Sequence, residues 1–347
     1  MRRKVIRQGH NTFTLTLPIK WAKNMNLQAG TELDVSEQGG NLIVSALAVA
    51  PESTTTEVDI SGLPNPLLWR FVSAAYRAGY GTIKIDFGGI ESDKDRLKEF
   101  SYDIADWFYR GELPKGRVSR LSAIEAIQAL INRFVGVEIT DQRQDYVIVS
   151  QLGEISYKEF DNALKRIFMV IISMGKDILK AIREDDLSVL KAIHMIDSNI
   201  DRFEDYCLRV LNLKGYEDYK KTSTIYATIF TLELVGDEYK RIAKHVIADK
   251  PKYGSGCLKF FNEINEQFES YFDLFYHFDR QKAIKVFETE DQLTASVIKL
   301  LKNASDGENE LLHHLKKIGR QTISLVELAI DLRADTAFGI GNGAQKK

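Results

Sequence analysis

Phe160-Asp-Asn-Ala-Leu-Lys-Arg-Ile-Phe-Met-Val-Ile-Ile-Ser-Met-Gly-Lys-Asp-Ile-Leu-Lys-Ala-Ile182 is the stretch from which the fold follows. Phe160, Leu164, Ile167, Phe168, Ile171, Ile178 and Ile182 recur at three- and four-residue spacing, so they share one stripe of a helix. The same grammar runs on to about residue 337. Leu190, Ile193, Ile196, Ile200, Phe203 and Cys207 form a second stripe, and Ile225, Ile229, Leu232, Tyr239 and Val246 a third. Breaks at 184–186, 213–215 and 251–256 part them, and three more helices are expected at about 257–278, 279–303 and 308–335. The six helices read as one three-helix unit written twice. Ala192-Ile-His-Met-Ile-Asp197 matches Ala283-Ile-Lys-Val-Phe-Glu288, and Leu232-Glu-Leu-Val-Gly236 matches Leu315-Lys-Lys-Ile-Gly319. Both matches fall at corresponding places, in the second and third helix of each unit. Residues 155–337 are therefore expected to form an all-α domain of two tandem three-helix bundles, with repeats at about 155–250 and 257–337. A disordered tail is expected at 338–347.

Upstream the pattern changes. Residues 57–150 mix strand and helix signals, which implies a small α/β domain in which no chemistry is evident. Strands are expected at 57–60 and 82–87, helices at 66–77, 93–109 and 122–134, and a hairpin at 136–140 and 146–149. Residues 48–56 read as a linker. Residues 1–47 read as β-α-β-β: short strands at 5–7 and 12–17, a helix at 19–26 after Pro18, and a hairpin turning at 39–41. A core that small is marginal alone, so a second copy is expected to share it. The fold class is multidomain α+β.

With 347 residues, two or three domains are expected. Lys plus Arg number 47 against 49 Asp plus Glu, a net charge of −2, which excludes a uniformly basic coat protein but not a local basic module. The two cysteines, Cys207 and Cys257, stand far apart, which excludes a disulfide scaffold and a thiolate zinc ribbon. The longest apolar run, at 167–172, is far short of the ~18 residues that span a bilayer. A soluble, cytoplasmic protein without direct membrane insertion is expected, reaching membranes only through a partner.

The charge is segregated. Arg2, Arg3, Lys4, Arg7, Lys20 and Lys23 all precede the first acid, Glu32. Cations on a small β-rich dimer engage duplex phosphates and release counterions. The polar residues 8–12, with His10, Asn11 and Thr12 among them, lie between the first two strands, where Gly9 permits close backbone approach. A solvated basic face without a ligand has the same composition. Arg3-Lys-Val-Ile-Arg-Gln-Gly9, Thr14-Leu-Thr-Leu-Pro-Ile-Lys20 and Leu27-Gln-Ala-Gly-Thr31 resemble the SpoVT/AbrB swapped-hairpin DNA-binding module. The resemblance covers residues 1–47 and implies an interleaved homodimer whose basic face meets double-stranded DNA. It places Arg3, Lys4, Arg7, His10, Asn11, Thr12 and Thr14 on the first strands and their loop. Antitoxins of toxin–antitoxin pairs use the same module.

The helical region carries paired acids. Asp197 and Asp201 lie four residues apart on one helix face, Glu204 joins them, and Glu233 and Asp237 repeat the spacing on the next helix. The spacing sets both pairs beside the apolar stripe. Like charges so placed repel by a few tenths of a kcal/mol. A hard cation reverses that sign, and so does a salt bridge, for which Arg241 stands four residues after Asp237. Leu232-Glu-Leu-Val-Gly-Asp237, with Asp197-x-x-x-Asp201 on the preceding helix, is similar to the motifs of the PhoU family. That resemblance covers residues 155–337. It implies a divalent or iron-type metal held by Asp197, Asp201, Glu233 and Asp237, and a part in restraining phosphate uptake and signalling. The second repeat departs from it: Glu288 is followed four later by Gln292, and Lys316 and Arg320 replace the second pair. The metal is therefore expected in the first repeat alone.

No nucleophile, phosphate-loop or zinc-protease motif occurs, and the lone Glu310-x-x-His313 is half of what a di-iron bundle requires. No enzyme is expected. The two resemblances together are those of archaeal-type phosphate uptake regulators. They imply a DNA-binding transcriptional regulator of phosphate uptake and homeostasis, acting negatively. The alternatives are an adaptor restraining a phosphate transporter ATPase or a sensor kinase, and an antitoxin.

Overall fold

The structure, a computed structural model, describes residues 2–38, 41–46, 54–61, 63, 65–88, 123–153 and 157–334. The chain forms two compact units, Met1–Thr54 and Thr55–Lys347.

In the first unit, β1 (Ile6–Gln8) and β2 (Thr12–Thr14) pair antiparallel, with Arg7 opposite Phe13. The turn between them starts at Gly9, whose φ of +76° suits a residue without a Cβ. Helix α1 (Ile19–Asn24) follows Pro18, and β3 (Leu33–Gln38) pairs antiparallel with β4 (Asn41–Ala46). Each sheet has two strands, and no residue whose burial is described in this unit is buried.

The second unit opens with a four-stranded sheet in the order β5-β6-β8-β7. β5 (Thr55–Asp59) and β6 (Thr82–Asp86) run parallel, with α2 (Asn65–Arg77) between them in sequence. β7 (Val137–Gln142) and β8 (Tyr146–Gln151) form a hairpin that adds antiparallel to β6, and α3 (Ala123–Ile131) precedes it. Ile83 and Ile85 of β6 point into a core with Leu68, Val72, Ile127 and Val149. Tyr76 stacks on Phe134 at 4.2 Å and donates to the carbonyl of Val135. Thr55 and Thr56, expected in a linker, instead begin β5. β-Branched side chains favour the extended chain, and these two pair with Thr82 and Ile83. The expected helix at 93–109, the linker residues 48–53 and the tail 338–347 lie outside the described residues.

Six long helices follow: α4 (Tyr157–Glu184), α5 (Leu187–Lys214), α6 (Thr222–Asp249), α7 (Ser255–Tyr276), α8 (Arg280–Leu301) and α9 (Asp306–Leu332). Their starts obey capping chemistry. Asp186 accepts from the amides of Ser188 and Val189, Asp279 from those of Gln281 and Lys282, and Ser305 with Glu308 forms a capping box. Helices α4–α6 make one three-helix bundle and α7–α9 another, joined through α6 against α9 and α4 against α7. One apolar core runs through both bundles. Within it the ring of Phe168 lies 5.1–6.2 Å from those of Phe268, Tyr271, Phe272, Phe275 and Tyr276. Gly236 sets the distance between α5 and α6, because a Cβ there would come within 2.7 Å of Ile200 Cδ1. Cys207 and Cys257 are buried free thiols, and burial pushes the Cys207 thiol up, which leaves it unreactive. Among the described residues no helix is long and apolar enough to cross a membrane.

Candidate nucleic-acid interface and acidic helical face

The basic residues of the first unit are all at its surface. Arg2, Arg3 and Lys4 lead into β1, Arg7 lies within it, and His10 and Asn11 form the turn. Thr12 and Thr14 belong to β2, and Lys20 and Lys23 to α1. The Arg7 guanidinium donates to the carbonyl of His10 at 2.7 Å, which fixes the turn, and Thr14 Oγ1 donates to the carbonyl of Ile6 at 3.2 Å. The strand and turn residues of this set are thereby brought together on one hairpin.

The same unit exposes Val5, Ile6, Phe13, Leu15, Leu17, Ile19, Val35 and Leu42, with Phe13 at 70% and Ile19 at 66%. A large apolar side chain gains about 1.5–3 kcal/mol on full burial. An isolated two-stranded hairpin is marginally stable at best in water.

In the second unit the four expected metal-ligating carboxylates do gather, at the join of α5 and α6, but cations of the chain already hold three of them, Asp197, Asp201 and Asp237. Lys240 Nζ lies 2.6 Å from Asp197 Oδ2 and 2.8 Å from Asp237 Oδ1. Arg241 takes the other Asp237 oxygen at 2.9 Å, as its spacing suggested. Arg133, from just after α3, contacts Asp201 at 3.0 Å and Asp205 at 3.2 Å. Arg77, the last residue of α2, contacts Glu204 at 2.9 Å and Asp205 at 2.5 Å.

Asp201, Glu233 and Asp237 are half-buried beside the core, where their spacing set them, but the other acids of this face are not. Asp197, Glu204 and Asp205 are buried, at 3%, 2% and 0% exposure. Glu204 and Asp205 lie against Arg77 and Arg133 of the α/β layer, and Asp197 against Lys240 of α6, contacts that local periodicity cannot reveal. Burial pushes Asp197 up to about 7, against the pull of Lys240 and with the push of Asp201 and Asp237. Burial likewise pushes Glu233 up to about 8, helped by Asp237, Asp201 and Asp197, and raises Glu204 well above its usual value against Arg77.

The contact between the α/β layer and the bundle extends along α5. Arg209, fully buried, donates to the carbonyls of Tyr76 and Tyr80 and to Gln151 Oε1, and its guanidinium lies over the Tyr76 ring. Asn212 donates to the carbonyl of Arg77 at 2.7 Å. Asn212 thus serves a carbonyl of the last residue of α2, and Arg209 adds a second donor to the Tyr76 carbonyl, which also accepts from the Gly79 amide. A Cβ at Gly79, whose φ is +93°, would strike Leu213. The Arg133 guanidinium lies 5.0 Å from the centre of the Trp69 ring, a cation–π arrangement. Sequence reasoning missed Arg77, Arg133 and Arg209. Each is a single cation next to an apolar helix stripe or within one, and its partners lie 58 to 133 positions away.

Residues 6–52 match the family model of the antidote-toxin recognition protein MazE, a bacterial antitoxin. The N-terminal module is of the MazE/AbrB type. No curated protein matches the chain. Among solved structures the chain is similar to PhoU from Pseudomonas aeruginosa, at 19% identity and TM-score 0.46, and to the phosphate transport system regulatory protein PhoU from Streptococcus pneumoniae, at 17% and 0.41. Each alignment covers 52% of this chain and 97% of the other. The MazE-type module accounts for the basic hairpin. It leaves open what the acidic face does, and among the described residues no group of three or more His, Cys, Asp or Glu side chains is arranged to hold a metal ion.

Proposed function

We propose that the chain is a homodimeric DNA-binding regulator in which the MazE-type module grips duplex DNA and the helical unit relays phosphate status. One observation carries the DNA part: six cations precede the first acid, on a module in which no residue of described burial is buried and eight large apolar side chains are exposed. A second copy of the chain gives those side chains burial on the order of 10 kcal/mol per chain and doubles the cationic surface. The phosphate part rests on the likeness of Leu232-Glu-Leu-Val-Gly-Asp237 to the PhoU motif. No catalytic residue has a role in this reading.

The test is a gel-shift of the full chain on its own promoter region at low and moderate salt. A saturable, salt-sensitive shift is expected, and Arg7→Ala, Lys20→Ala and Lys23→Ala should each lower the salt slope by about 1. A chain that shifts no duplex even in dilute buffer ends this reading.

The family match favours a second reading, an antitoxin, whose neighbouring gene should encode a small toxic protein that co-purifies with the chain. An adaptor acting on a phosphate transporter ATPase or a sensor kinase would instead show capture of those subunits without promoter occupancy.

A further inference from the structure

We propose that the acidic face of the first helical repeat is the docking surface of the α/β layer and not a metal site, its charge being offset in part by Arg77, Arg133, Lys240 and Arg241. Six acids meet there: Asp197, Asp201, Glu204, Asp205, Glu233 and Asp237. Both oxygens of Asp237 are engaged, one by Lys240 and one by Arg241, and the Lys240 ammonium bridges Asp237 to Asp197. A divalent cation seated between α5 and α6 would have to evict that ammonium or share its space at like charge. Asp201 turns to Arg133 instead, a cation from another layer of the unit.

Two of the balancing cations, Arg77 and Arg133, belong to the α/β layer, and Asp205 joins them by accepting from both. Asp205 is fully buried, so its charge is tolerable only while the layer is seated. Arg209 and Asn212 extend the seat by two further turns of α5, binding carbonyls at the end of α2. Docking and metal loading therefore compete for the same carboxylates. The seated layer begins with β5, the first element of the second unit, so whatever unseats it acts on the segment that follows the MazE-type module in the chain.

The test uses the full chain, purified without chelator and dialysed against micromolar Mn²⁺, with metal content and amide exchange both measured. The expected result has two parts. The wild type holds well under one Mn²⁺ per chain, and Arg133→Gln speeds exchange along α2 and α3 by roughly tenfold while leaving α7–α9 unchanged. Manganese that survives the double change Asp197→Asn and Asp201→Asn is bound elsewhere and leaves the face metal-free, as proposed. About one Mn²⁺ per chain that this double change abolishes overturns the proposal. So does unaltered exchange in Arg133→Gln. If Arg133→Gln does not fold, Arg133→Lys replaces it: it keeps the charge but loses the forked contact to Asp201 and Asp205, so the same acceleration is expected at smaller size, and its absence overturns the proposal.

Discussion

The acidic face of the first repeat and the matching face of the second are built on corresponding helix pairs, α5 with α6 and α8 with α9. Glu288 stands where the first repeat has Asp197, and Arg320 where it has Asp237, yet both are exposed. Around them runs an open groove of about 980 Å³, lined by Phe278, Ile284, Phe287, Glu288, Arg320 and Glu327. In the first repeat Glu204 and Asp205 are buried and held by cations from another layer, and Asp197 is buried against Lys240. The difference shows that a repeated backbone does not fix the charge chemistry of its faces; what packs on a face does. A charge in water tolerates an imperfect partner, whereas a buried one requires its partner in place.

The largest test of this contrast is to remove one cation from each face. Arg77→Ala leaves Glu204 and Asp205 buried without one of their cations, and should destabilise the second unit by about 3–5 kcal/mol in urea unfolding. Arg320→Ala, on the solvated face, should change stability by less than about 0.5 kcal/mol. Equal losses would show that the α/β layer is not seated on the first repeat as described.

The next effect lies where the repeats meet. Glu238 of α6 is buried and held by Arg241 and by His314 and Lys317 of α9, at 2.7 and 2.6 Å for the last two. Burial opposes its charge, but hydrogen bonds from His314 and Lys317 and the Arg241 charge hold it down to about 2. A depressed carboxylate contributes stability that is present above its unfolded value of 4.5 and lost as pH falls towards 2. The size is on the order of 2–3 kcal/mol, and Glu238→Gln should flatten that limb of a stability–pH curve. The acids of the first repeat have the opposite sign. Asp197 and Glu233 are raised to about 7 and about 8, so their contribution is present below about pH 4 and lost as pH rises through 7 to 8. Asp197→Asn should weaken the fall at neutral pH while leaving the acid limb intact. A curve with no slope between pH 4 and 8 in either protein would mean these acids are not buried together.

Much of this was legible in the sequence because it is local. The stripe from Phe160 to Ile182 became α4, the repeated strings fell in the second and third helices of each bundle, and the basic run before Glu32 marked the surface hairpin. The acid pairs were found, and Arg241 was identified as a partner of Asp237. The pairing of Asp201 was not legible, because Arg133 is 68 residues away in a segment with no chemical motif. Nor was the burial of Asp197 and Glu204, since periodicity ranks positions around a helix but cannot tell how many layers will cover it. Register within β5 shows the same limit at small scale: two threonines read as linker until β6 supplied their hydrogen-bonding partner.

The smallest effect separates the two repeats by geometry alone. Gly236 and Gly319 occupy matching places in α6 and α9. A methyl at Gly236 would lie 2.7 Å from Ile200 Cδ1, a fully buried atom that has little room to retreat, whereas at Gly319 the nearest atom, Ile264 Cδ1, is 3.1 Å away. Replacing a helical glycine by alanine gains about 1 kcal/mol of backbone propensity in both cases. Overpacking costs about 1–3 kcal/mol where the clash is hard. Gly236→Ala should therefore lose about 1 kcal/mol net, and Gly319→Ala should fall within about 0.5 kcal/mol of the wild type. Paired thermal melts of the two variants decide it. If Gly319→Ala proves the worse, then α9 and not α6 is the more closely packed helix, and the glycine shared by the two repeats marks something other than the approach of α5.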